Sequence, residues 1–170
     1  MTVAALHLSS EPALSVSTDV LVIGVSGSDS GPTLHIDDAA FDDIRASLVA
    51  LGVTGADDEV RRLAAPSGSA RSIALVGLGS TKVDPNVLRR AAGSATRQLT
   101  GVTSLAIALS TSSADDVPGI LEGAAIGSYS FTRYRSQPRD AAKLPATDIT
   151  IVTSVDGVDG LPARASIIAD

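Results

Sequence analysis

The glycine-rich stretch at residues 77–82 is the first place where the sequence could do chemistry, because glycine loops between a strand and a helix often bind phosphate. A P-loop needs four residues between its glycines, followed by Gly-Lys-Ser or Gly-Lys-Thr, and that spacing is absent. The dinucleotide pattern Gly-x-Gly-x-x-Gly also fails, because Lys82 stands at the third glycine position. The stretch therefore predicts a tight strand-to-helix turn.

A second flexible stretch, residues 24–31, follows an apolar run, and ligands of α/β proteins tend to bind at such strand ends. Its residues are small and polar, with no Asn, Arg or Lys nearby. This composition favours an ordinary loop over a binding site.

The histidines and acidic pairs do not predict a catalytic or metal site. His7 and His35 are the only histidines, and neither belongs to a metal-ligand pattern. The chain contains the Ser, His and Asp residues that a catalytic triad needs, but the sequence has no Gly-x-Ser-x-Gly motif of the kind that presents a nucleophilic serine. The adjacent acidic residues predict helix caps and solvated faces. They are the pairs at 37–38, 42–43, 57–58 and 115–116. We therefore assign no catalytic, cofactor-binding or metal-binding residue.

The composition predicts one acidic globular domain. The chain has 170 residues, a net charge of −6 and 44% apolar residues. Only 2% of the residues are aromatic, and the one dense basic segment covers residues 133–139, so nucleic-acid binding is not expected. The sequence has no cysteine, no signal-peptide pattern and no apolar run long enough for a membrane span. We therefore expect a soluble cytoplasmic domain with no membrane partner.

Apolar runs and helix caps alternate along the chain. Six segments predict strands: 3–8, 19–25, 59–65, 72–79, 102–109 and 148–153. Helices are expected from Asp37 or Asp38 to Gly52, from Asp84-Pro85 to Gly101, and after Asp115/Asp116, while residues 161–168 look like the start of another. This alternation predicts a three-layer α/β domain with a parallel or mixed sheet.

Three of the four aromatic residues lie within six positions. These are Tyr129, Phe131 and Tyr134, and we expect them to pack at the end of a helix rather than to contact a ligand. The arginines of the same region form a basic patch that is either solvated or interdomain. They are Arg133, Arg135 and Arg139.

The same region carries a family resemblance. Residues 122–136 closely resemble the end of the amino-terminal domain of the cytosolic leucyl aminopeptidases, where a Glu-Gly helix runs into Gly-x-Tyr-x-Phe-x-x-Tyr-Lys-Ser. Arg135 replaces the usual lysine. The strand at residues 73–79 resembles that family's Val-Gly-Leu-Gly strand, and the order of elements fits nearly the whole chain.

The resemblance implies a macro-domain-like α/β/α amino-terminal domain at residues 1–155, with a mixed sheet flanked by helices. Residues 156–170 would begin a linker helix towards a catalytic domain that this chain lacks. That catalytic domain would hold two divalent metals, Mn or Zn, and an Asn-Thr-Asp-Ala-Glu-Gly-Arg-type signature, which does not occur here. The resemblance also implies a hexameric parent enzyme that acts on peptides. The present chain would serve assembly or regulation and would not catalyse.

Two alternatives stay open. A free-standing macro-like module would bind ADP-ribose or a related nucleotide through the loops at residues 26–33 and 79–82. Macro families usually have Asn-Ala-Ala-Asn-like residues after the second strand, whereas this chain has Gly-Val-Ser-Gly-Ser at positions 24–28. The other alternative is a pure oligomerisation module.

Overall fold

Two long apolar runs form adjacent central strands of a mixed sheet. In the computed structural model, which describes residues 4–66, 68–80, 82–129, 144–158, 160–163 and 165, these strands are β2 (Thr18–Gly27) and β5 (Ala70–Ser80). They pair in parallel, and side chains on both faces of β2 are fully buried from Val20 to Ile23. Burial on both faces explains why the run is continuously apolar.

Seven strands make up the described sheet, in the order β1-β7-β6-β2-β5-β4, with β3 paired to β2. Besides β2 and β5, the strands are β1 (Ala5–Ser9), β3 (Thr33–Leu34), β4 (Val60–Ala64), β6 (Ser104–Ala108) and β7 (Asp148–Val152). Strands β1, β7, β6, β2 and β5 are mutually parallel, whereas β3 and β4 are antiparallel to their partners. The six predicted strands are all present.

The helices cover both faces of the sheet. They are α1 (Asp42–Ser47), α2 (Pro85–Gln98) and α3 (Asp116–Gly127), with 3-10 turns at Ala13–Ser15 and Ala39–Phe41. One apolar core lies between the sheet and helices α2 and α3, and a second lies on the opposite face around Phe41 and Leu48. The prediction of an α/β fold with a mixed sheet flanked by helices is confirmed.

The helix caps follow the sequence closely. The Asp84 carboxylate accepts hydrogen bonds from the amides of Asn86 and Val87, and Asp38 caps the 3-10 turn through the amide of Ala40. The first helix is shorter than predicted because its first turn is 3-10 and the α-helix ends at Ser47. The loop predicted at residues 26–33 is also shorter, because β2 continues to Gly27 and pairs with β3.

Helices α2 and α3 approach each other through glycines. A Cβ atom on Gly119 would lie 2.5 Å from the carbonyl oxygen of Pro85, and one on Gly123 would clash with the carbonyl oxygen of Arg89. One helical turn further on, a Cβ atom on Gly127 would lie 2.5 Å from the carbonyl oxygen of Gly93. The four-residue spacing of these glycines lets the two backbones touch along their length.

Several predicted features lie partly or wholly outside the described residues. These are Phe131, Tyr134 and the arginines at positions 133, 135 and 139, together with most of the predicted terminal helix. Residues 161–163 are helical, and Ala165 is buried in the core that α2 and α3 cover. None of the described helices is long and apolar enough to cross a membrane.

Candidate functional site

The carboxyl ends of the five parallel strands lie along one edge of the sheet, where ligands of α/β proteins bind. Both glycine-rich stretches that the sequence singles out reach this edge. Residues 24–31 include the end of β2, and residues 77–82 include the end of β5. This edge is therefore the first place to look for a site.

Over β2 and β5 the edge is covered by the chain itself. Residues 54–58, which we call the covering loop, lie over these strand ends. The Gly79 amide donates a hydrogen bond of 2.9 Å to the Gly55 carbonyl oxygen in this loop. A Cβ atom on Gly77 would clash with the carbonyl oxygen of Ala56, and one on Gly27 would lie 2.5 Å from that of Thr54. These glycines allow backbone to pack on backbone, which is a structural role.

A carboxylate fixes the covering loop. Glu59 Oε2 accepts hydrogen bonds from the amides of Thr54 and Gly55 at 3.0 and 2.8 Å and from the Thr54 hydroxyl at 2.7 Å. Burial of Glu59 raises its pKa, but these bonds and one from Arg61 outweigh burial and lower the pKa overall. Amides that could have faced an anion are thus bound to the protein's own carboxylate.

Over β1, β7 and β6 the edge is open. A cavity of about 420 Å³, which we call the edge cavity, is lined by residues 10–13, 35–37, 108–111 and 152–154. Each lining stretch lies at or just after the carboxyl end of β1, β3, β6 or β7. This cavity has no signature in the sequence, because its lining comes from four separate short stretches with no shared motif.

His35 lies on the wall of the edge cavity. Its Nε2 atom is 2.7 Å from the Ser26 hydroxyl, and its carbonyl oxygen accepts a hydrogen bond from the Ser110 hydroxyl at 3.1 Å. Burial lowers the pKa of His35, which favours the neutral imidazole.

A serine and a histidine at this distance resemble a nucleophile and its general base. Among the described residues, however, no carboxylate is hydrogen-bonded to the His35 ring, and Ser26 is not among those that line the edge cavity. We therefore interpret the pair as a link between β2 and the segment after β3. His7, the other histidine, lies on β1 with its Nε2 3.9 Å from Asp148 Oδ1.

The amino terminus of α3 also reaches this edge, and its preceding loop is bound by Asp116. Oδ2 of Asp116 accepts hydrogen bonds from the amides of Ser112 and Ser113 at 2.7 and 3.0 Å, and from the Ser112 hydroxyl at 2.9 Å. Burial of Asp116 raises its pKa, but the bonds from the two serines outweigh burial and lower it overall. The predicted acidic pair at 115–116 therefore does help to start the helix, although Asp115 makes no side-chain cap.

A second cavity, of about 430 Å³, lies between the covering loop, α2 and the end of α3. Its charged side chains are paired with one another, with Arg90 Nη2 3.7 Å from Asp57 Oδ1 and Arg97 bound to Asp58. The Ser94 hydroxyl also donates to Asp58, which holds a positive φ of 65°. Among the residues that the structure describes, no group of three or more His, Cys, Asp or Glu side chains could hold a metal ion.

Comparisons with known proteins agree with this architecture. The model of the cytosol aminopeptidase family, N-terminal domain, matches residues 22–138. The chain is 41% identical to a probable cytosol aminopeptidase of Clavibacter michiganensis subsp. michiganensis, and the match covers 99% of this chain and 34% of that protein. A probable cytosol aminopeptidase of Leifsonia xyli subsp. xyli is 39% identical, with 95% and 32% covered.

Solved structures share the fold at low sequence identity. A mutant of tomato leucine aminopeptidase matches with a TM-score of 0.71 and 16% identity, over 99% of this chain and 36% of that one. The bottromycin maturation enzyme BotP matches with a TM-score of 0.59 and 19% identity, over 90% and 30%.

The fold defines an α/β domain with a mixed sheet flanked by helices. The chain belongs to the cytosol aminopeptidase family and corresponds to the amino-terminal domain of that family. It spans about a third of the length of the curated relatives it matches. The family resemblance noted in the sequence is thereby confirmed.

Proposed function

We propose that this chain is the non-catalytic amino-terminal domain of an aminopeptidase, which in full length releases amino-terminal residues from peptides by two-metal hydrolysis. The observation that carries the proposal is the family match, which is to the N-terminal domain and covers about a third of the length of proteins named cytosol aminopeptidases. We further propose that the metals, Mn or Zn, bind in the remaining two thirds and that the protein acts in the cytoplasm as a hexamer.

The engagement of the acidic side chains in this chain supports a structural role. Asp19, Glu59 and Asp116 each accept hydrogen bonds from backbone amides, and Asp84 caps α2. Carboxylates bound in this way hold loops and helix ends in place. They are therefore committed to the fold.

The domain boundary is also part of the proposal. We place the domain at residues 1–155 and the start of a linker helix at 156–170. In support, β7 ends at Val152, and the Thr153 amide still bonds to the Ser9 carbonyl oxygen at 2.9 Å. Val158 and Ala165 are buried in the core beneath α2 and α3, so the first part of the linker is anchored on the domain.

The direct test compares this 170-residue chain with the full-length protein in hydrolysis of leucine p-nitroanilide with added Mn²⁺ or Zn²⁺. We expect that only the full-length protein hydrolyses the substrate and that EDTA abolishes this hydrolysis. Metal-dependent turnover by the 170-residue chain would contradict the non-catalytic assignment. Light scattering on both proteins tests assembly, and a full-length mass other than that of six chains would contradict the hexamer.

The alternative module that binds ADP-ribose has less support from the geometry. The ends of β2 and β5, where its two loops would meet a diphosphate, are packed against the covering loop, whose amides bind Glu59. Calorimetry with ADP-ribose decides between the two functions. We expect no saturable heat, and micromolar binding would favour the alternative.

A further inference from the structure

We propose that the edge cavity binds an aliphatic polyamine, a linear compound with an ammonium group at each end. The cavity occupies the part of the carboxyl edge that the covering loop leaves open. Its volume of about 420 Å³ is within the range typical of small-molecule sites. The proposal is independent of the aminopeptidase assignment and stands or falls separately from it.

The charges on its walls select a cation. Among the described lining residues, the charged side chains are Glu11 and Asp37, and both are acidic. His35 is held towards its neutral form by burial. The amides before α3, which could attract an anion, already bind the Asp116 carboxylate. A cleft with one sign of charge raises the local concentration of the opposite ion.

The remaining lining favours an organic cation over a metal ion. The described residues offer no group of three ligating side chains, and hard divalent metals need several oxygen ligands. The cavity lining also includes the partly buried apolar side chains of Ala108 and Val152, on which methylene groups can pack. Around them, Ser110 and Ser154 supply hydroxyl and carbonyl oxygens that an ammonium group can donate to.

The separation of the two carboxylates favours two charges in one ligand. Glu11 follows β1, while Asp37 lies in the segment that is hydrogen-bonded beside β2 through the His35 amide and the Gly24 carbonyl oxygen. Strand β3 lies on the same side of β2 as β6, because β5 occupies the other side. Two strand spacings of about 4.8 Å, from β1 past β7 to the position of β6 and β3, therefore separate the two walls by roughly 10 Å. A triamine of the length of spermidine can approach both carboxylates, whereas a monoamine can meet only one.

The experiment is a calorimetric titration of the 170-residue chain at low salt with spermidine, 1,4-diaminobutane and n-butylamine. We expect saturable binding whose strength falls in that order and weakens as NaCl is added. The variants Glu11→Gln and Asp37→Asn should each weaken spermidine binding about threefold, and the double variant about tenfold. Asp29→Asn is the matched control, since Asp29 is exposed and lies outside the described lining.

Several results would overturn the proposal. They are absence of saturable spermidine binding at millimolar concentration, equal affinity for n-butylamine, an equal loss in Asp29→Asn, and equal displacement by Mg²⁺ at matched ionic strength. Because Glu11 and Asp37 are exposed, their variants should retain the circular dichroism spectrum of the parent. Amide NMR shifts give an independent readout. Spermidine should perturb residues 110–111 and 153–154, and perturbation elsewhere alone would also contradict the site.

Discussion

The two halves of the sheet's carboxyl edge belong to one set of parallel strands, but the strand ends are covered in one half and open in the other. Over β2 and β5, glycines at positions 27, 55 and 77 bring the covering loop into backbone contact with the strand ends. Over β1, β7 and β6, four short stretches leave a cavity of about 420 Å³. The position of a loop relative to the sheet is therefore not enough to predict a ligand site. What matters is whether a neighbouring backbone can come close enough to fill it.

The covered half also shows how a glycine-rich loop can be mistaken for a phosphate loop. Both need residues without side chains, because a backbone must approach closely. In this protein the approaching group is the chain itself, and its amides are satisfied by Glu59.

The largest effect is predicted for a substitution that disrupts the contact between β5 and the covering loop. In Gly77→Ala the new Cβ would clash with the Ala56 carbonyl oxygen, which belongs to the backbone and cannot rotate away. We expect the free energy of unfolding to fall by about 3 kcal/mol. That loss corresponds to a decrease in Tm of roughly 10 °C for a domain of this size. Thermal and urea denaturation measure both quantities.

Gly160→Ala is the matched control for this prediction. A Cβ atom at Gly160 would meet nothing within 4 Å, so its stability should stay within about 0.5 kcal/mol of the parent. Equal stability of the two variants would show that the covering loop can move away at little cost. The contrast between the covered and open halves would then be lost.

The next largest effect tests whether glycine also permits close backbone contact elsewhere in the fold, between α2 and α3. In Gly123→Ala the Cβ would clash with the Arg89 carbonyl oxygen, while alanine gains about 1 kcal/mol in helix propensity. We expect a net loss of about 2 kcal/mol in the free energy of unfolding. Gly93→Ala faces the same interface, but its Cβ would lie 3.4 Å from the Gly123 carbonyl oxygen. Urea denaturation should therefore show this control to be unchanged or up to about 1 kcal/mol more stable than the parent, and equal losses in both variants would contradict the assigned contact.

A smaller effect concerns the carboxylate that holds the covering loop. Glu59→Gln keeps the size of the side chain but removes the charge that accepts from Thr54 and Gly55. We expect a loss of about 1–2 kcal/mol, because hydrogen bonds to a charged group are the stronger ones. The Gly77 amide donates to the Glu59 carbonyl oxygen, and the Gly79 amide donates to that of Gly55. Native-state hydrogen exchange should therefore show faster exchange at both amides. Unchanged exchange at both amides would mean that Glu59 does not hold the loop.

The order of strands and helices could be predicted because local signals and tertiary burial agree. The continuous apolar runs at 19–25 and 72–79 are buried on both faces, and Asp84-Pro85 starts a helix by the expected cap. The extent of α1 could not be read from apolar spacing, because the positions of Phe41 and Leu48 suit a mixture of 3-10 turns and α-helix as well.

The two halves of the edge could not be told apart from the sequence. Gly77 reads as a turn residue, but its role depends on contact with Ala56, which is distant along the chain. The contact between Ser26 and His35 likewise depends on the pairing of β2 with the short strand β3, which no motif signals. The glycines at positions 119, 123 and 127 do have a visible four-residue spacing, and that spacing was the available signal for the α2–α3 contact.

The smallest effect is a pH dependence that originates at the wall between the two halves. Burial lowers the pKa of His35 below its ordinary 6.5, so between the two pKa values the unfolded chain binds a proton at His35 and the folded chain does not. The free energy of unfolding is therefore undiminished by His35 above pH 6.5 and falls as the pH drops from 6.5 towards the pKa of the folded state. Urea denaturation at closely spaced pH values should show this step, and His35→Gln should remove it while His7→Gln retains it. Asp19, Glu59 and Asp116 have lowered pKa values and lose their contribution only below their ordinary values of 3.8 to 4.5, so the two windows separate. A step that persists in His35→Gln would place its origin elsewhere and leave the wall of the edge cavity insensitive to pH.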